Sequence, residues 1–306
     1  MPSKSSTRPN LASTLSDIQT RSIADGDGHG GRPQALPKPS NGAGSFDGDG
    51  DVFRDGHGGE RVVRGAAIYS GAPRLAELAA RIGFETVWIE MEHGPTDFQL
   101  AEHICMAVEA SGAIATIRVP DGQRHHVLRA LETGARIVIV PMVQTAEHAR
   151  QIVEYGKFPP VGGRGYNMRS RGVNYGLGKK DLIFAQANAR THLFAQIETM
   201  EAVQNLDAIC AVEGLSGVFI GPGDLSISAG VMGDLDGDRM VAITTDVIRR
   251  ARAAGKHVGI LVPPGRMLNA AMEAGCDLVF CCGDVSDLSV SWKALLASVP
   301  ARVAER

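Results

Sequence analysis

The stretch RIVIVPM at 136–142, followed by a helical pattern at 145–155, decides the fold because the same pairing recurs along the chain. Its apolar residues are consecutive and not alternate, which is typical of a strand buried on both faces of a parallel sheet. Further apolar runs lie at 62–69, 86–91, 113–119, 192–198, 217–222, 257–262 and 277–283, and helical sequence follows each of them. Eight strand–helix units in succession predict an α/β fold, the TIM (β/α)8 barrel.

The first sixty residues have a different composition. Residues 1–60 hold 11 of the 37 glycines, together with many Asp and Ser and few apolar side chains. Such a segment buries too little apolar surface to offset its chain entropy. We therefore predict a disordered Gly/Asp/Ser-rich extension over 1–60 and one barrel domain over 61–306.

The overall composition excludes several classes of protein. A net charge of −3 does not provide the concentrated basic surface that binds nucleic acid. No run of 18 apolar residues is present, so we expect no membrane-spanning helix. Five cysteines, an odd number, are typical of a reducing compartment and predict a cytoplasmic protein. Aromatic residues make up only 5% of the chain, which predicts a core of Ala, Val, Ile and Leu.

Polar side chains follow the predicted strands, at the ends where a barrel carries its active site. Glu90, Glu92 and His93 follow the second strand, and Arg118 ends the third. The fifth and sixth strands end in a second group of such residues, Gln196, Glu198, Gly223 and Asp224. Because the carboxyl ends of all barrel strands meet at one mouth, we expect these residues to converge there.

Glu198 and Asp224 are the candidate metal ligands. Two carboxylates at neighbouring strand ends repel each other unless a cation lies between them or a proton is shared. Oxygen ligands without Cys or His favour Mg²⁺ or Mn²⁺ over zinc. The alternative is that each carboxylate caps the helix that follows it, as Asp224 can for the segment LSIS.

His93 and Arg118 supply the other half of the predicted site. A histidine beside carboxylates is a natural general base at neutral pH, and an arginine stabilises a developing enolate. In the segment GPGD, the amides of Gly223 and Asp224 suit a small carboxylate at a helix start. No lysine closes a strand, so a metal-stabilised enolate is favoured over a lysine Schiff base.

These segments resemble the HpcH/HpaI family of class II, metal-dependent pyruvate aldolases over about residues 62–299. The resemblance is carried by WIEMEHGPTD, IRVP, LETGARIVIVPMVQTAEHAR, FPPVGGRG, QIET, VEGLSGVFIGPGDLS and GKHVGIL. It implies a TIM barrel, pyruvate bound as a metal chelate, and oligomers that are commonly hexameric. It also implies roles for individual residues: Glu198 and Asp224 as metal ligands, His93 as the base, Arg118 as the transition-state stabiliser, and Gln196 and the Gly223 amide as pyruvate contacts.

Two positions depart from the pattern of that family. This chain has Glu90 and Glu132 where the family usually has Asp, so each carboxylate lies one methylene further from the backbone. Glu132 resembles the acidic partner of the catalytic histidine. Since it ends a helix, however, it is predicted at the opposite end of the barrel from His93. Either Glu132 is an ordinary exposed residue at a helix end, which the helix dipole mildly disfavours, or it reaches the mouth of a neighbouring subunit in a homo-oligomer. We expect the second, with Glu90 as the alternative partner of His93.

The predicted function is the reversible aldol cleavage of a 2-keto-4-hydroxy acid into pyruvate and an aldehyde. The predicted cofactor is Mg²⁺ or Mn²⁺, with Co²⁺ possible, and the partners are the small-molecule α-keto acid and aldehyde. One alternative is an oxaloacetate-type decarboxylase, which passes through the same enolate. Another is a barrel that binds an α-keto acid without turning it over.

Overall fold

The structure is a computed structural model that describes residues 52–54, 59–180 and 182–299. Eight parallel strands close into a barrel in sequence order, with β1 paired to both β2 and β8. Their bounds are β1 Val63–Ile68, β2 Thr86–Glu90, β3 Ile114–Arg118, β4 Ile137–Val140, β5 His192–Ile197, β6 Gly217–Ile220, β7 His257–Leu261 and β8 Leu278–Gly283. The prediction of a TIM barrel is confirmed.

Helices connect the strands on the outside of the barrel. They are α1 Pro73–Ile82, α2 Phe98–Ala110, α3 Arg124–Glu132, α4 Ala146–Gly156, α5 Ile183–Arg190, α6 Met200–Gln204, α7 Leu206–Cys210, α8 Pro222–Ser228, α9 Asp238–Ala253, α10 Arg266–Glu273 and α11 Asp284–Ser298, with a short 3-10 segment at Arg171–Gly176. Local signals set several of their first residues: Asp97 and Thr145 accept hydrogen bonds from backbone amides of α2 and α4, and Pro73 begins α1.

The core has two layers, because alternate residues of each strand face outward and inward. The outward layer between strands and helices consists mainly of Ala, Val, Ile and Leu, as predicted. The inward layer is different, since the large aromatic side chains Trp88, Phe194, Phe219 and Phe280 fill the barrel. Trp88 contacts Phe219 and Phe280 edge-on, with ring centroids 4.9 and 5.0 Å apart.

Glycines on the inward face make room for these rings. A Cβ atom on Gly65 would lie 2.2 Å from the ring of Phe280, and one on Gly259 would lie 2.4 Å from the ring of Phe219. Few aromatic residues are therefore enough to fill the interior, because the rings of Phe280 and Phe219 each lie against a strand position that has no side chain.

The amino-terminal end of the barrel is covered by residues that the composition had assigned to the extension. Val52 and Phe53 are buried in the inward layer, with Phe53 only 1% exposed. The ring of Phe53 stacks on His257 at 3.9 Å and lies edge-on to His192 at 5.3 Å. The packed barrel therefore begins before the predicted boundary at residue 60, since two apolar residues in a polar segment are enough to close its floor. Residues 1–51 lie outside the described residues.

The chain divides into two compact units, with a boundary between residues 287 and 288. Residues 41–287 include all eight strands, and the described residues of the other unit, 288–299, are the later part of α11 and the residue after it. Within the described residues, none of the helices combines the length and the apolar character needed to cross a bilayer.

Replacing Phe53 with Ala is expected to lower the free energy of unfolding by roughly 3–5 kcal/mol, the usual cost of truncating a buried Phe. Urea denaturation measures this change. The matched control is Tyr166→Ala, which truncates a ring that is 79% exposed and is expected to have little effect. Equal effects of the two substitutions would show that Phe53 does not close the barrel.

Candidate active site

The strands carry a group of polar side chains into the mouth of the barrel. Glu90 and Arg118 are the last residues of β2 and β3 and are paired in the sheet register. Gln196 lies in β5, and Glu198 comes two residues after it, directly past the end of the strand and on the same inward face as the buried ring of Phe194. Period-two alternation therefore brings these predicted residues together, although they are up to 108 positions apart in the sequence.

Glu90 holds Arg118 in place. The Glu90 carboxylate is fully buried, and its Oε2 accepts hydrogen bonds from Arg118 Nε at 2.8 Å and from Trp88 Nε1 at 3.0 Å. The central carbon of the Arg118 guanidinium also lies 5.2 Å from the centroid of the Trp88 ring. Burial by itself would lower the pKa of Arg118, but Glu90 and Glu92 outweigh it, so this pKa is raised and the side chain stays charged.

The same carboxylate fixes the loop that carries His93. Glu90 Oε1 accepts hydrogen bonds from the backbone amides of Glu92 at 2.7 Å and His93 at 2.9 Å. The contact to His93 is therefore made to its backbone and not to its imidazole. This geometry differs from the expectation that Glu90 pairs with the ring, because both Glu90 oxygens are already used by other donors.

Glu92 is the carboxylate that approaches the imidazole. Its Oε2 lies 3.8 Å from His93 Nε2 and 3.2 Å from Arg118 Nη1, the latter an ion pair without hydrogen-bond geometry. The His93 side chain is 61% exposed, so it can meet a substrate that enters from solvent. Burial raises the pKa of Glu92. The positive charges of Arg118 and His93 lower it, and the Glu198 carboxylate raises it further.

Glu198 is the most constrained carboxylate of the mouth after Glu90. It is 2% exposed, and its Oε1 accepts a hydrogen bond from the Met142 amide at 2.6 Å while its Oε2 accepts one from Gln196 Nε2. Met142 adopts the left-handed conformation, with φ of 55°, which costs energy for a residue with a side chain. The turn after β4 is thus strained in the conformation that directs its amide at Glu198.

Gln196 and Asp224 complete this side of the mouth. Gln196 Oε1 is buried and accepts no hydrogen bond from the described residues, so a carbonyl oxygen is left for a cation or a donor from a ligand. Asp224 is exposed in the first turn of α8. Burial raises the pKa of Glu198, the hydrogen bonds from Gln196 and Met142 oppose this, and Asp224 raises it further.

Two glycines leave space beside these groups. A Cβ atom on Gly221 would lie 2.7 Å from Glu198 Oε2, so only glycine fits there. A Cβ atom on Gly223 would meet nothing within 4 Å, so the region next to its amide is open. Across residues 52–54, 59–180 and 182–299, no three His, Cys, Asp or Glu side chains converge on a metal position. Glu198 and Asp224 are therefore a pair of carboxylates and not a complete set of ligands.

Glu132 is the predicted site residue that does not join the mouth of its own chain. It ends α3, just before β4 begins, whereas His93 follows the end of β2, so the two lie at opposite ends of the strands. Its Oε1 accepts a hydrogen bond from Asn167 Nδ2 at 3.1 Å. This placement agrees with the expectation that the two residues are not partners within one subunit.

Sequence reasoning gave no role to three residues that shape the mouth: Glu92, Met142 and Tyr69. Glu92 directly precedes His93, and this adjacency was the available signal. Met142 carries no signal of its own, because a left-handed conformation is not expected of Met. Tyr69 follows β1 on the inward alternation, a pattern that can be read from the sequence.

A cavity of about 470 Å³ adjoins Glu92 on the side of β3 and β4. Its lining includes Val140, Val143 and Ile152, which belong to the outward core layer, and Tyr155 from α4. The cavity therefore extends from Glu92 and Met142 at the mouth toward the layer between strands and helices.

Comparison with known proteins agrees with this geometry. Residues 68–284 match the family model of the HpcH/HpaI aldolase/citrate lyase family. The chain is 36% identical over 222 residues to a hydroxypyruvate/pyruvate aldolase from Roseobacter denitrificans, covering 72% of this chain and 86% of that protein. It is also 36% identical over 216 residues to a 2-keto-3-deoxy-L-rhamnonate aldolase from Klebsiella pneumoniae, covering 70% and 80% of the two chains.

A solved structure shows the same architecture. The HpcH/HpaI aldolase from Desulfitobacterium hafniense superposes with a TM-score of 0.73 at 26% identity, covering 79% of this chain and 95% of that one. The predictions of the family and of a carbon–carbon lyase are confirmed. The chain belongs to the HpcH/HpaI aldolase/citrate lyase family and is an aldolase.

Proposed function

We propose that this chain reversibly cleaves a 2-keto-4-hydroxy acid into pyruvate and an aldehyde, with a divalent metal ion held by Glu198 and Asp224. The observation that carries the proposal is the pair of carboxylates beside the unpartnered carbonyl oxygen of Gln196. Within the described residues, the carboxylates Glu90 and Glu92 act on the Arg118 guanidinium, and Glu198 lies in the field of both Arg118 and the Asp224 carboxylate. An additional positive charge is therefore needed before an anionic keto acid can bind.

The donor set fits Mg²⁺ or Mn²⁺, with Co²⁺ as a further candidate, because it consists of oxygen atoms and leaves positions for water and substrate. When bound, such an ion polarises the carbonyl group of the keto acid. Gln196 and the Gly223 amide bind and orient the pyruvate half. The open space at Gly223 supports this role because a carboxylate can approach the backbone there.

His93 takes the proton in the cleavage direction. It removes the proton from the C4 hydroxyl, the C4 carbonyl forms, and the C3–C4 bond breaks. The electron pair delocalises from C3 to the keto oxygen, where Arg118 stabilises the negative charge. Glu90 fixes Arg118 for this task, and the paired carboxylate keeps the guanidinium charged in spite of its burial.

A Schiff base on lysine is disfavoured by where the lysines lie. Burial lowers the pKa of Lys157 to about 8, which is the property an imine-forming lysine needs. Lys157 Nζ, however, donates to the carbonyl oxygens of Asn188 and Thr191, and Thr191 immediately precedes β5. Lys157 therefore lies at the floor of the barrel, away from the mouth.

Removal of metal is expected to abolish turnover, and Mg²⁺, Mn²⁺ or Co²⁺ is expected to restore it. Glu198→Gln removes a charged ligand at similar volume and is expected to prevent both restoration and metal binding measured by calorimetry. Glu201→Gln, the same change on the exposed first turn of α6, is the matched control and is expected to behave as the unmodified protein. Full activity in excess chelator, or borohydride trapping of pyruvate on a lysine, would contradict the metal assignment.

His93→Ala is expected to lower the aldol rate by about 10²–10⁴, the usual loss for a general base. Pyruvate affinity is expected to change little, since the contacts to the pyruvate half are made by other groups. Steady-state kinetics with pyruvate titration measures both quantities, and His103→Ala on the exposed face of α2 is the control. Loss of pyruvate binding in His93→Ala would make His93 a ligand and not a base.

The position of Glu132 supports a homo-oligomer, for which the family resemblance suggests a hexamer. Because Glu132 and His93 lie at opposite ends of the strands, the carboxylate can assist the base only in a neighbouring copy. Glu132→Gln is expected to slow turnover without weakening metal binding. Mixing Glu132→Gln with His93→Ala subunits is expected to regenerate some activity, which turnover assays measure. A fully active monomer, or mixed subunits without regained activity, would rule out the shared site.

A cytoplasmic location belongs to the same proposal. All five cysteines, Cys105, Cys210, Cys276, Cys281 and Cys282, are free thiols in the described residues. Thiols that remain reduced are typical of a reducing compartment.

A further inference from the structure

Tyr69 enters the mouth from β1, a strand that contributes no other group to the proposed site. It follows β1, where Val63 and Ala67 face inward, and the same alternation directs Tyr69 inward above them. Its ring packs on the inward core layer and lies against Gly283, whose Cβ position would be 3.7 Å from two ring carbons. The ring is thus fixed by packing at the edge of the mouth.

The backbone of this turn is held by Asp284 at the start of α11. Asp284 Oδ1 accepts a hydrogen bond from the Tyr69 amide at 2.8 Å, and Oδ2 accepts one from the Ser70 amide at 3.1 Å. The Ser70 hydroxyl donates to the same Oδ2. A side chain on a clamped turn keeps a defined position, which is a requirement for a group that selects a substrate.

The Tyr69 phenol lies in the electrostatic field of the proposed catalytic groups. Burial is the largest cause that raises its pKa, Arg118 opposes this, and the carboxylates Glu90, Asp284 and Glu92 add to it. The phenol is therefore protonated at neutral pH and can donate a hydrogen bond. Within the described residues, the only hydrogen bond of Tyr69 is made by its backbone amide, so the hydroxyl is available as a donor to a ligand.

The order of the strands around the barrel shows which part of a substrate reaches Tyr69. The pyruvate half is proposed at β5 and β6, and the reacting C3–C4 bond lies by Arg118 of β3 and His93 after β2. In a closed barrel of eight strands, β1 lies opposite β5. A substrate that extends from Glu198 across Arg118 therefore brings the carbons beyond C4 to Tyr69.

We propose that the Tyr69 hydroxyl donates a hydrogen bond to a hydroxyl group next to the aldehyde carbon, so that the enzyme selects 2-hydroxyaldehydes over unsubstituted aldehydes. This inference rests on the proposed aldolase function and names the substrate class of the same site. The cavity beside Glu92 is the competing place for the aldehyde chain. Tyr155 lines this cavity, so its phenol is the matched control for that of Tyr69.

The experiment uses two aldehydes that differ by one hydroxyl group, glycolaldehyde and acetaldehyde, each with pyruvate and Mn²⁺. Carbon–carbon bond formation is followed by NMR, and kcat/KM is measured for the unmodified protein, Tyr69→Phe and Tyr155→Phe. Tyr69→Phe is expected to lower the glycolaldehyde-to-acetaldehyde ratio of kcat/KM roughly three- to tenfold, the effect of one lost neutral hydrogen bond. Tyr155→Phe is expected to leave the ratio unchanged.

Three results would overturn the assignment of Tyr69: an unchanged ratio in Tyr69→Phe, an equal loss with both aldehydes, or a change of the ratio in Tyr155→Phe instead. Melting curves of the two variants show whether each is folded, and both retain the ring that packs. Exchange of the pyruvate methyl protons in D₂O reports enolate formation independently of the aldehyde. Absence of both exchange and product in the unmodified protein would overturn the proposed function, and with it this inference. Exchange and product with an unchanged ratio in Tyr69→Phe would overturn the inference alone.

Discussion

Closure of the eight-stranded sheet is the constraint on which the rest of the structure depends. A closed barrel gives each strand one inward face with limited volume, so large and small residues must alternate around it. Gly65 lies opposite Phe280 and Gly259 opposite Phe219 for this reason. At the carboxyl ends of β2, β3 and β5 the same inward positions are occupied by Glu90, Arg118 and Gln196 and not by aromatic rings. The core and the candidate site are thus built from successive inward-facing positions of the same strands.

The charges at the mouth are arranged in two groups that differ in how they are compensated. Glu90 and Arg118 form a buried pair, and the two Glu90 oxygens also accept hydrogen bonds from Trp88 and from backbone amides. Buried ion pairs add little stability by themselves, but they fix geometry when every donor and acceptor is used. Glu198 accepts two hydrogen bonds and has a neighbouring like charge in Asp224, which in the proposed function a cation compensates. The Glu90–Arg118 pair is therefore structural support for the mouth in which Glu198 and Asp224 lie.

The sequence predicted those features that depend on local periodicity. Continuous apolar runs identified the strands, and the first polar residues after them identified the mouth, because both follow from burial in a parallel barrel. It did not distinguish Glu90 from Glu92 as neighbours of His93, since that difference depends on which carboxylate is engaged by Arg118 and two backbone amides. The left-handed turn at Met142 arises from its tertiary contact with Glu198, which no local pattern encodes. Phe53 was assigned to a polar segment because its partners, His192 and His257, are distant in sequence.

The packing of Phe53 has a consequence for the order in which the chain folds. Val52 and Phe53 emerge from the ribosome before any strand of the barrel, whereas Phe53 stacks on His257 at the start of β7. The floor of the barrel therefore remains open until most of the protein has been synthesised, and β1 likewise waits for β8 before the sheet can close. Contacts of such long sequence separation slow folding because the intervening chain must be ordered first. During translation, the aromatic interior of this enzyme depends on neighbours that are made last.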